Sequence, residues 1–471
     1  MIGWRPLAEA SRVRPREVQI SRIALIGACL LGWAPLAFSE TLAEAVEHAL
    51  LRFPDFRATL ATRRAADEQL VQARGGLYPQ VELALGRGRE ESDSNVTRPL
   101  GFKPTLSRQE ASLSASQLIF DGGAVGGQVR RFSERADGAS FQVASAAENV
   151  ALRVAQAYLE VMRLRSQVAF AEENVAVHDR TVRQVELLAE RGAGRRSDAQ
   201  QAVARLALAQ STLTQQRGQL AQAESGYRHL VGHAPGAMRT PAAGPVLPSD
   251  IEAAVQNALA SHPAVLAAER ELSAAQADRD SARARGFIPR VDLEVGGTKN
   301  RDLDGVIGPN EDRFAMLRLR SNLFRGGTDA ARVREAQARI DEATAGVQRA
   351  RNDVERDLRQ AWEGLVASRE RIPQLETHAG VSAQVVQAYR AQFSIGQRSL
   401  LDVLNAENEL YSARGNALNG LLGVSADEMR VLATMGKLVM ALGLAVPGRE
   451  QPGEADGIEN LPWRVEPDAG G

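Results

Sequence analysis

Cysteine is almost absent from this sequence, with Cys29 the only one among 471 residues. It lies in an apolar run near the start of the chain, directly after Ala28. Lipid attachment there would leave only Ile23 to Ala28 as the preceding apolar stretch, which is too short, so we disfavour a lipoprotein. Once a leader containing Cys29 is removed, the chain has no thiol. This excludes disulfides and thiolate metal sites, and it suits an oxidising compartment.

Aromatic residues are also scarce, at 4% of the chain, and the formal net charge is only −1. A composition dominated by Ala, Arg, Gln, Glu, Leu and Val, with few rings, is typical of long helices that pack through small side chains. Binding to a nucleic acid would need a basic face. We therefore expect long helices rather than compact domains, and no nucleic acid as a partner.

The first 39 residues have the parts of a secretion signal. Five arginines precede an apolar run from Ile23 to Leu36, and Ala37-Phe38-Ser39 supplies small residues at the −3 and −1 positions of a cleavage site. A membrane anchor is the alternative, but a run of roughly 17 residues broken by Gly32 and Pro35 is marginal for a span. We predict a signal peptide at 1–39. No later segment resembles a transmembrane helix, so any membrane-spanning part must consist of strands.

The remaining chain contains two similar halves, which predicts an internal structural repeat. Leu118-Ile119-Phe120-Asp121-Gly122-Gly123 corresponds to Asn322-Leu323-Phe324-Arg325-Gly326-Gly327, and Gly192 and Asp198 correspond to Gly396 and Asp402. We place repeat 1 at 40–249 and repeat 2 at 250–443. Residues 444–471 are rich in Pro, Gly and acidic residues without any period, which predicts a disordered tail.

Each half has the same predicted order of helices and strands. A short helix starts at Thr41 or Asp250, and a second helix of about 22 residues opens at Pro54 or Pro263. A β-hairpin follows, at about 80–120 in repeat 1 and about 290–324 in repeat 2, because apolar and polar residues alternate there with period two. We expect the hairpin loops at about 88–109 and 299–312, and return strands that end at Phe120 and Phe324.

A very long helix comes next in each half. Between Ala124 and Glu190 there is no proline, and at 1.5 Å per residue this helix is about 100 Å long. Apolar residues recur every 3.5 positions from Val150, which is the coiled-coil signature. Pro373 interrupts the second copy, where we expect a kink. Helices that return from Ser197 and Ser399 complete a tube carrying two hairpins at one end.

The strands predict a pore formed by several chains. Four strands with one apolar and one polar face cannot enclose a useful lumen or leave open edges in lipid. Three chains would give a twelve-stranded barrel, an α+β membrane protein with a coiled-coil helical barrel. An ordinary soluble hairpin packed on helices is the alternative. The polar residues expected to line the barrel lumen are Glu82, Asp292, Glu294, Arg318 and Arg320.

Motifs for catalysis or cofactor binding are not found in the sequence. The glycines around Gly122 follow an alternating strand and lack the lysine of a phosphate-binding loop. His229 and His233 are spaced i, i+4 without an acidic partner, so we do not predict a metal site. We expect no cofactor and no enzymatic activity.

The stretch from Tyr389 through Phe393, Gly396, Arg398 and Asp402 to Leu410, together with its counterpart after Gly192, resembles the TolC family of outer-membrane channel proteins. It looks most like the type I secretion branch, which includes proteins associated with adhesin export and agglutination. The resemblance implies a homotrimer in the outer membrane that extends into the periplasm. It also implies two partners, a periplasmic adaptor (membrane fusion) protein and an inner-membrane ABC transporter.

The resemblance further implies a periplasmic gate. Asp402 matches the family's first aspartate ring, and Asn405 occupies the position of the second; with Glu409 they fall at i, i+3 and i+7, on one helical face. Residues matching the links that hold the helices shut are Asp198 and Arg398, while Phe393 stands where the family can have a tyrosine. A simpler interpretation is that Asp402 and Asp198 cap helices. The expected adaptor-docking turns are Gly192, Gly194 and Gly396.

The leading functional hypothesis is therefore the exit duct of a type I secretion system. The alternative with the same fold is the outer-membrane factor of a drug or metal efflux pump, with an RND pump as its inner-membrane partner. A periplasmic adaptor would need an anchor and a compact β domain, which the sequence lacks. A purely structural coiled coil would not contain the alternating strand pairs.

Overall fold

The computed structural model describes residues 39–192, 194–241, 247–248 and 250–447. The predicted signal peptide at 1–39 lies outside the described residues except for Ser39, and the predicted tail lies outside them from residue 448 onward. Residues 444–447 are described and belong to no helix or strand.

Two helices precede the first strand, and both start where the sequence predicts. Helix α1 spans Leu42–Arg52 and α2 spans Pro54–Gly75. Thr41 and Glu44 form a capping box: the Thr41 N–H donates to Glu44 Oε2 at 2.8 Å, and the Glu44 N–H donates back to Thr41 Oγ1 at 3.3 Å. Pro54 occupies the first turn of α2, where its missing N–H removes no helical hydrogen bond.

Four strands form one antiparallel sheet. They are β1 (Gln80–Arg87), β4 (Gln109–Phe120), β5 (Arg290–Leu303) and β6 (Val306–Arg320), in the order β1-β4-β5-β6. The first hairpin also carries a small pair, β2 (Glu90–Glu91) with β3 (Thr105–Leu106), and one 3-10 turn at Arg98–Leu100. The two hairpins therefore lie side by side, with β4 against β5, and β1 and β6 form the sheet edges.

The second hairpin differs from the predicted one in two respects. The predicted loop at 299–312 is mostly strand, because β5 and β6 pair up to Leu303 and Val306, and Asp304-Gly305 alone makes the turn. The return strand ends at Arg320 rather than Phe324. Charged residues conceal the strand in sequence, since the backbone ladder does not depend on alternation between apolar and polar side chains.

Two helices of equal length carry the sheet. Helix α3 spans Ala124–Glu190 and α7 spans Thr328–Ser394, with 67 residues each. Helix α7 contains Pro373 and continues past it, so this proline does not end the helix. The remaining helices are α4 (Arg196–Val231), α5 (Ile251–Ser261), α6 (Pro263–Phe287), α8 (Leu400–Thr434) and α9 (Leu438–Ala441).

The helices pack side by side through small apolar residues. Helix α3 lies between α4 and α6, and α7 lies between α6 and α8. Of the apolar residues that recur every 3.5 positions from Val150, four are buried and two are half-buried. The buried ones are Val150, Val154, Val161 and Leu164, and the half-buried ones are Ala157 and Val168. Ion pairs join α3 to α6 along their length, including Arg131 with Asp278 at 2.7 Å. Alanine-rich contacts of this kind bring helix axes close together, which is why few aromatic side chains are needed.

The broadest core lies midway along α3, where α1, α4 and the C-terminal segment meet it. Tyr158 is fully buried there, and its hydroxyl donates to the carbonyl oxygens of Glu40 and Arg239 at 2.8 and 2.6 Å. Glu148 is also buried, and its carboxylate accepts the backbone N–H groups of Leu438 and Val439 at 2.8 and 3.2 Å. These polar contacts tie both ends of the described chain to α3.

In the part of the chain that the structure describes, no helix is both long enough and apolar enough to cross a membrane.

Candidate functional site

The sheet has one polar and one apolar face. Residues directly opposite each other in an antiparallel ladder project from the same face. Asp292 pairs with Arg318, and Glu82 pairs with Ser114, which in turn faces Gly296 on β5. Glu294 and Arg320 lie two residues away from Asp292 and Arg318 along their strands. The register therefore brings all five residues expected to line the lumen onto a single face.

Ion pairs join the charged residues of β5 and β6 on this polar face, whereas Glu82 on β1 takes part in no ion pair among the described residues. Glu294 binds both Arg318 and Arg320, at 2.7 and 2.8 Å. Asp292 pairs with Arg290 at 2.8 Å and lies 3.9 Å from Arg320. Asp292 is only 2% exposed, whereas Leu293 beside it is 39% exposed. The two acidic side chains of β5 on the polar face are thus more enclosed than Leu293 between them, whereas Glu82, Arg318 and Arg320 on the same face are exposed.

The opposite face presents apolar side chains to the outside. Six of them, each 55–72% exposed, are Val81, Leu83, Leu85, Leu113, Leu317 and Leu319. Burying side chains of this kind contributes about 1.5–3 kcal/mol each. In the described chain, moreover, β1 and β6 each pair with a strand on one side only. Both the apolar face and the two edges therefore lack a partner within a single chain.

The predicted gate residues lie on α8 and each contacts a different group. Asp402 Oδ2 accepts a hydrogen bond from Ser399 Oγ at 2.9 Å, and the backbone N–H of Asp402 donates to Ser399 Oγ at 3.2 Å. Asn405 accepts from Arg205 of α4 at 3.2 Å, and Glu409 accepts from His378 of α7 at 2.8 Å. Ser399 is the N-cap of α8. The capping interpretation therefore assigns the cap itself to Ser399, with Asp402 three residues into the helix.

The predicted link residues do not meet within one chain. Arg398 donates to Gln392 at 3.1 Å, stacks over the Tyr389 ring at 4.1 Å and lies 3.7 Å from Asp402. Asp198 accepts from Ser197 at 3.4 Å and lies in the first turn of α4, whose N-cap is Arg195. Among the described residues, no hydrogen bond or ion pair joins Arg398 to Asp198.

Phe393 packs at the edge of an apolar cluster that joins three helices near this end. Its buried members are Val182, Val185, Ala202, Leu400 and Leu404, from α3, α4 and α8. A phenyl ring here contributes apolar contact without a hydroxyl that could donate a hydrogen bond.

The helix pairs turn at the predicted glycines. Gly192 and Gly396 have φ values of 72° and 75°, and both lie in open space. Gly194 has ordinary φ but lies against the end of α3, where an added Cβ would come within 3.1 Å of the Ala189 backbone nitrogen. The two turns are thus the exposed, sharply bent ends of the α3–α4 and α7–α8 hairpins.

Three polar contacts near this end were not predicted from the sequence. Arg205 reaches Asn405, Arg390 binds the buried Glu407 at 2.5 Å, and Arg414 binds Glu173 at 3.0 Å. Their partners lie 17 to 241 residues away in sequence, so no local pattern indicates the pairing. The pKa of His178 on α3 is lowered, mainly because the side chain is buried and to a smaller extent because the positive charge of Arg205 lies near it.

No group of three or more histidine, cysteine or acidic side chains that could hold a metal ion occurs in the described ranges. The charged residues at the site are engaged in ion pairs, helix capping and interhelical hydrogen bonds. Their arrangement can position helices and set the charge of a surface.

The sheet thus has a charged face and an exposed apolar face, and it is mounted on two helices of 67 residues each. The chain belongs to the outer membrane efflux protein family, whose model matches residues 45–233 and 254–437. The family consists of channels rather than enzymes, and its membership places this protein in the outer membrane, extending into the periplasm.

The chain is similar over most of its length to proteins from other bacteria. It is 24% identical to the outer membrane efflux protein BepC of Brucella suis over 400 residues, covering 85% of each chain. It is 26% identical to the alkaline protease secretion protein AprF of Pseudomonas aeruginosa over 401 residues, covering 83% of each. Its fold matches that of CusC, described in connection with transmembrane channel formation, with a TM-score of 0.73 at 19% identity, over 85% of this chain and 93% of the other.

Proposed function

We propose that this protein is the exit duct of a tripartite type I protein secretion system, working as a passive homotrimeric channel. The observation that carries the proposal is the sheet: its two edges are unpaired within one chain, and its faces differ in polarity. Three copies joined β6 to β1 would form a closed twelve-stranded barrel with no free edge. The charged face, with Glu82, Asp292, Glu294, Arg318 and Arg320, would then line a water-filled lumen.

The two similar halves would build the periplasmic part of the same channel. Each half supplies one long helix and helices that pack alongside it, so three chains would form a continuous helical tunnel below the barrel. Asp402, Asn405 and Glu409 would face its axis near the closed end. Three Asp402 carboxylates around one axis would attract cations and repel one another. Asp198, Phe393 and Arg398 would then hold the neighbouring helices together.

Type I secretion is favoured by the segment from Tyr389 to Leu410 and by the similarity to AprF, which is named for protease secretion. Efflux is the second candidate, favoured by the similarity to BepC, which is named as an efflux protein. The first function requires an inner-membrane ABC transporter and the second an RND pump, each with a periplasmic adaptor.

Deletion of the gene distinguishes the two candidates. We expect the deletion strain to lose one or a few large secreted proteins at unchanged drug tolerance, with recovery when the gene is supplied on a plasmid. Broad drug hypersensitivity with an intact secretome would assign the protein to efflux. A purified protein that is monomeric in detergent and forms no ion-conducting pore would contradict the channel itself.

The proposed adaptor contacts can be tested by cross-linking. The chain has no cysteine after Cys29, so a single introduced thiol reports one position. We expect Gln397→Cys, beside the Gly396 turn, to cross-link to the adaptor. Gln215→Cys, also exposed but midway along α4, is the matched control. Equal cross-linking at both positions would remove the turns at Gly192, Gly194 and Gly396 from the docking surface.

A further inference from the structure

The exposed face of the sheet is not uniformly apolar along its height. Near the helices its rows contain Val291 with Leu319, then Leu293 with Leu317, then Val81, Val295 and Ala315. Farther from the helices the same face becomes charged. The face therefore has a lower and an upper boundary, which can be located on each strand separately.

Aromatic side chains form the lower boundary. One lies at or just beyond the end of each strand nearer the helices: Phe120 is the last residue of β4, Tyr78 lies two residues before β1, Phe287 ends α6 three residues before β5, and Phe324 lies four residues after β6. They are between 49% and 85% exposed, although large rings are normally buried in a chain with so few of them. Exposed rings concentrated at one level are typical of the interface between lipid and water.

Cations form the upper boundary. Arg87 on β1, Lys299 and Arg301 on β5 and Arg313 on β6 project from the same face as the apolar rows, because Arg87 lies in the row of Gln109 and Arg301, and Arg313 lies opposite Gly297. Glu311 is the acidic residue in these rows and pairs with Lys299 at 3.1 Å. Among the described residues, no ion pair or side-chain hydrogen bond engages Arg87, Arg301 or Arg313.

The distance between the two boundaries matches the apolar layer of an outer membrane. About nine residues separate Tyr78 from Arg87 and about 11 separate Phe324 from Arg313, while Phe287 lies about 12 residues from Lys299 and about 14 from Arg301. At about 3.3 Å per residue and a strand tilt near 45°, this corresponds to a height of roughly 20–33 Å. The lipid-facing band of outer-membrane barrels is about 25 Å tall.

The cation line also has the slope that tilted strands require. Measured along the sheet rows, Lys299 lies one row nearer the helices than Arg87, and Arg313 lies two rows nearer. Two rows correspond to about 13 Å along a strand, over about 14 Å across three strand spacings, which gives a tilt of roughly 40°. This is the tilt of strands in membrane barrels, so Arg87, Lys299 and Arg313 would lie level in a membrane, with Arg301 one row farther from the helices than Lys299.

We propose that Arg87, Arg301 and Arg313 bind the phosphate groups of lipid headgroups in the outer leaflet. The inference rests on the proposed barrel and identifies the lipid group that its outer surface contacts at the end far from the helices. The helices extend into the periplasm, so the boundary far from them faces the exterior. An arginine guanidinium can bind phosphate through two parallel hydrogen bonds, and no acidic side chain in the described part of the chain pairs with these three arginines. The occupant is a phosphorylated lipid, held by its headgroup above the apolar band.

The test uses the full-length purified channel in detergent and measures bound lipid by native mass spectrometry. The probes are a bisphosphorylated glycolipid and the same glycolipid with its phosphates removed. The test variant carries Arg87→Gln, Arg301→Gln and Arg313→Gln. The control carries Arg334→Gln, Arg349→Gln and Arg371→Gln, which remove the same charge from exposed positions on α7. A third variant carries Arg87→Lys, Arg301→Lys and Arg313→Lys.

We expect the wild-type channel and the α7 control to prefer the phosphorylated lipid. The test variant, with its three glutamines on the sheet, should bind this lipid about fivefold more weakly for each charge removed. The lysine variant should retain most of the binding. Equal binding of the two lipids by the wild-type channel, or equal loss in both glutamine variants, would overturn the proposal. Displacement of the lipid by millimolar inorganic phosphate would instead indicate a free-anion site and also overturn it.

Failure of this inference can be told apart from failure of the barrel. Conductance of each variant in a planar bilayer reports whether the channel inserts. A conducting channel without phosphate preference contradicts only the headgroup contact, whereas a wild-type protein that does not insert contradicts the proposed function.

Discussion

The guanidinium of Arg205, on helix α4, donates a hydrogen bond to the side-chain oxygen of Asn405, on helix α8, across 3.2 Å. This contact joins the return helices of the two halves, about 200 residues apart in sequence, near the end where the chain turns. Because Asn405 is neutral, the bond has a charged donor and an uncharged acceptor. The strength of the connection is therefore open to change by a single substitution.

Asn405→Asp should strengthen this connection. The hydrogen bond to Asn405 is already charge-assisted through the guanidinium. A carboxylate facing Arg205 adds the attraction of an ion pair, which contributes about 0.2–1 kcal/mol at an exposed contact. We expect the open probability of the channel in planar bilayers to fall several-fold. Asn408→Asp makes the same chemical change at an exposed position of α8 and serves as the control. If both variants conduct as the wild type does, Arg205 and Asn405 do not restrain opening.

Asp402→Ala should weaken block of the pore by divalent cations. Removal of three carboxylates from one ring removes the local attraction for such ions. Asp341→Ala, at an exposed position on α7 where the carboxylate accepts from Gln337 at 3.2 Å, is the matched control. The measurement is conductance as a function of divalent-cation concentration. Unchanged block in Asp402→Ala would exclude this residue from the gate.

Glu148 should make the stability of the helical region depend on pH. Burial raises the pKa of this carboxyl from 4.5 to about 7, although the N–H groups of Leu438 and Val439 oppose the shift. The folded state therefore binds more protons than the unfolded state between these values. The contribution of Glu148 to stability is fully present below pH 4.5 and is lost as the pH rises through 7, by about 3 kcal/mol in total.

Thermal unfolding at pH 5 and pH 8 checks this expectation. Glu148→Gln, which does not ionise, should show a smaller loss of stability between the two pH values than the wild type. Glu173→Gln, at a more exposed carboxylate on the same helix, should behave as the wild type does. The prediction is wrong if the wild type gains stability between pH 5 and pH 8 relative to Glu148→Gln.

Two ion pairs, one between α7 and α8 and the other between α8 and α3, should contribute very differently to stability. Arg390 binds Glu407, whose side chain is 6% exposed, whereas Arg414 binds Glu173, whose side chain is 57% exposed. Arg390→Ala leaves a buried carboxylate unpaired and should cost about 3 kcal/mol. Arg414→Ala breaks a pair in solvent and should cost less than about 1 kcal/mol. Denaturant unfolding of the two variants measures the difference, and equal losses would show that burial does not separate them.

Local sequence signals predicted the helices well. Helix α3 begins at Ala124 and ends at Glu190, the residues that the sequence indicates, because Gly122-Gly123 precedes it and Gly192 follows. Thr41, Asp250, Pro54 and Pro263 act where capping and proline rules place them. These signals depend on a few neighbouring residues, so they can be read without knowledge of the rest of the fold.

Contacts between distant segments could not be predicted in the same way. The end of β6 at Arg320 and the short turn at Asp304-Gly305 follow from backbone pairing, which charged side chains obscure. The Arg205–Asn405 and Arg390–Glu407 contacts depend on the packing of α4, α7 and α8. Side-chain alternation did predict the shared face of Glu82, Asp292 and Glu294. Residues two apart on a strand project to the same side, and every register that keeps the apolar residues on one face keeps these polar residues together on the other.

The unpaired edges of β1 and β6 have a consequence for the timing of biogenesis. A chain newly delivered to the periplasm cannot bury Leu317 and Leu319 by itself, and its edge strands are open to any other strand. In the proposed trimer, closure requires other copies, so its rate would depend on the concentration of unassembled chains raised to a power greater than one. Slow synthesis would prolong the exposed stage and thereby increase the demand for holding chaperones, even though each individual chain has the same sequence and the same final structure.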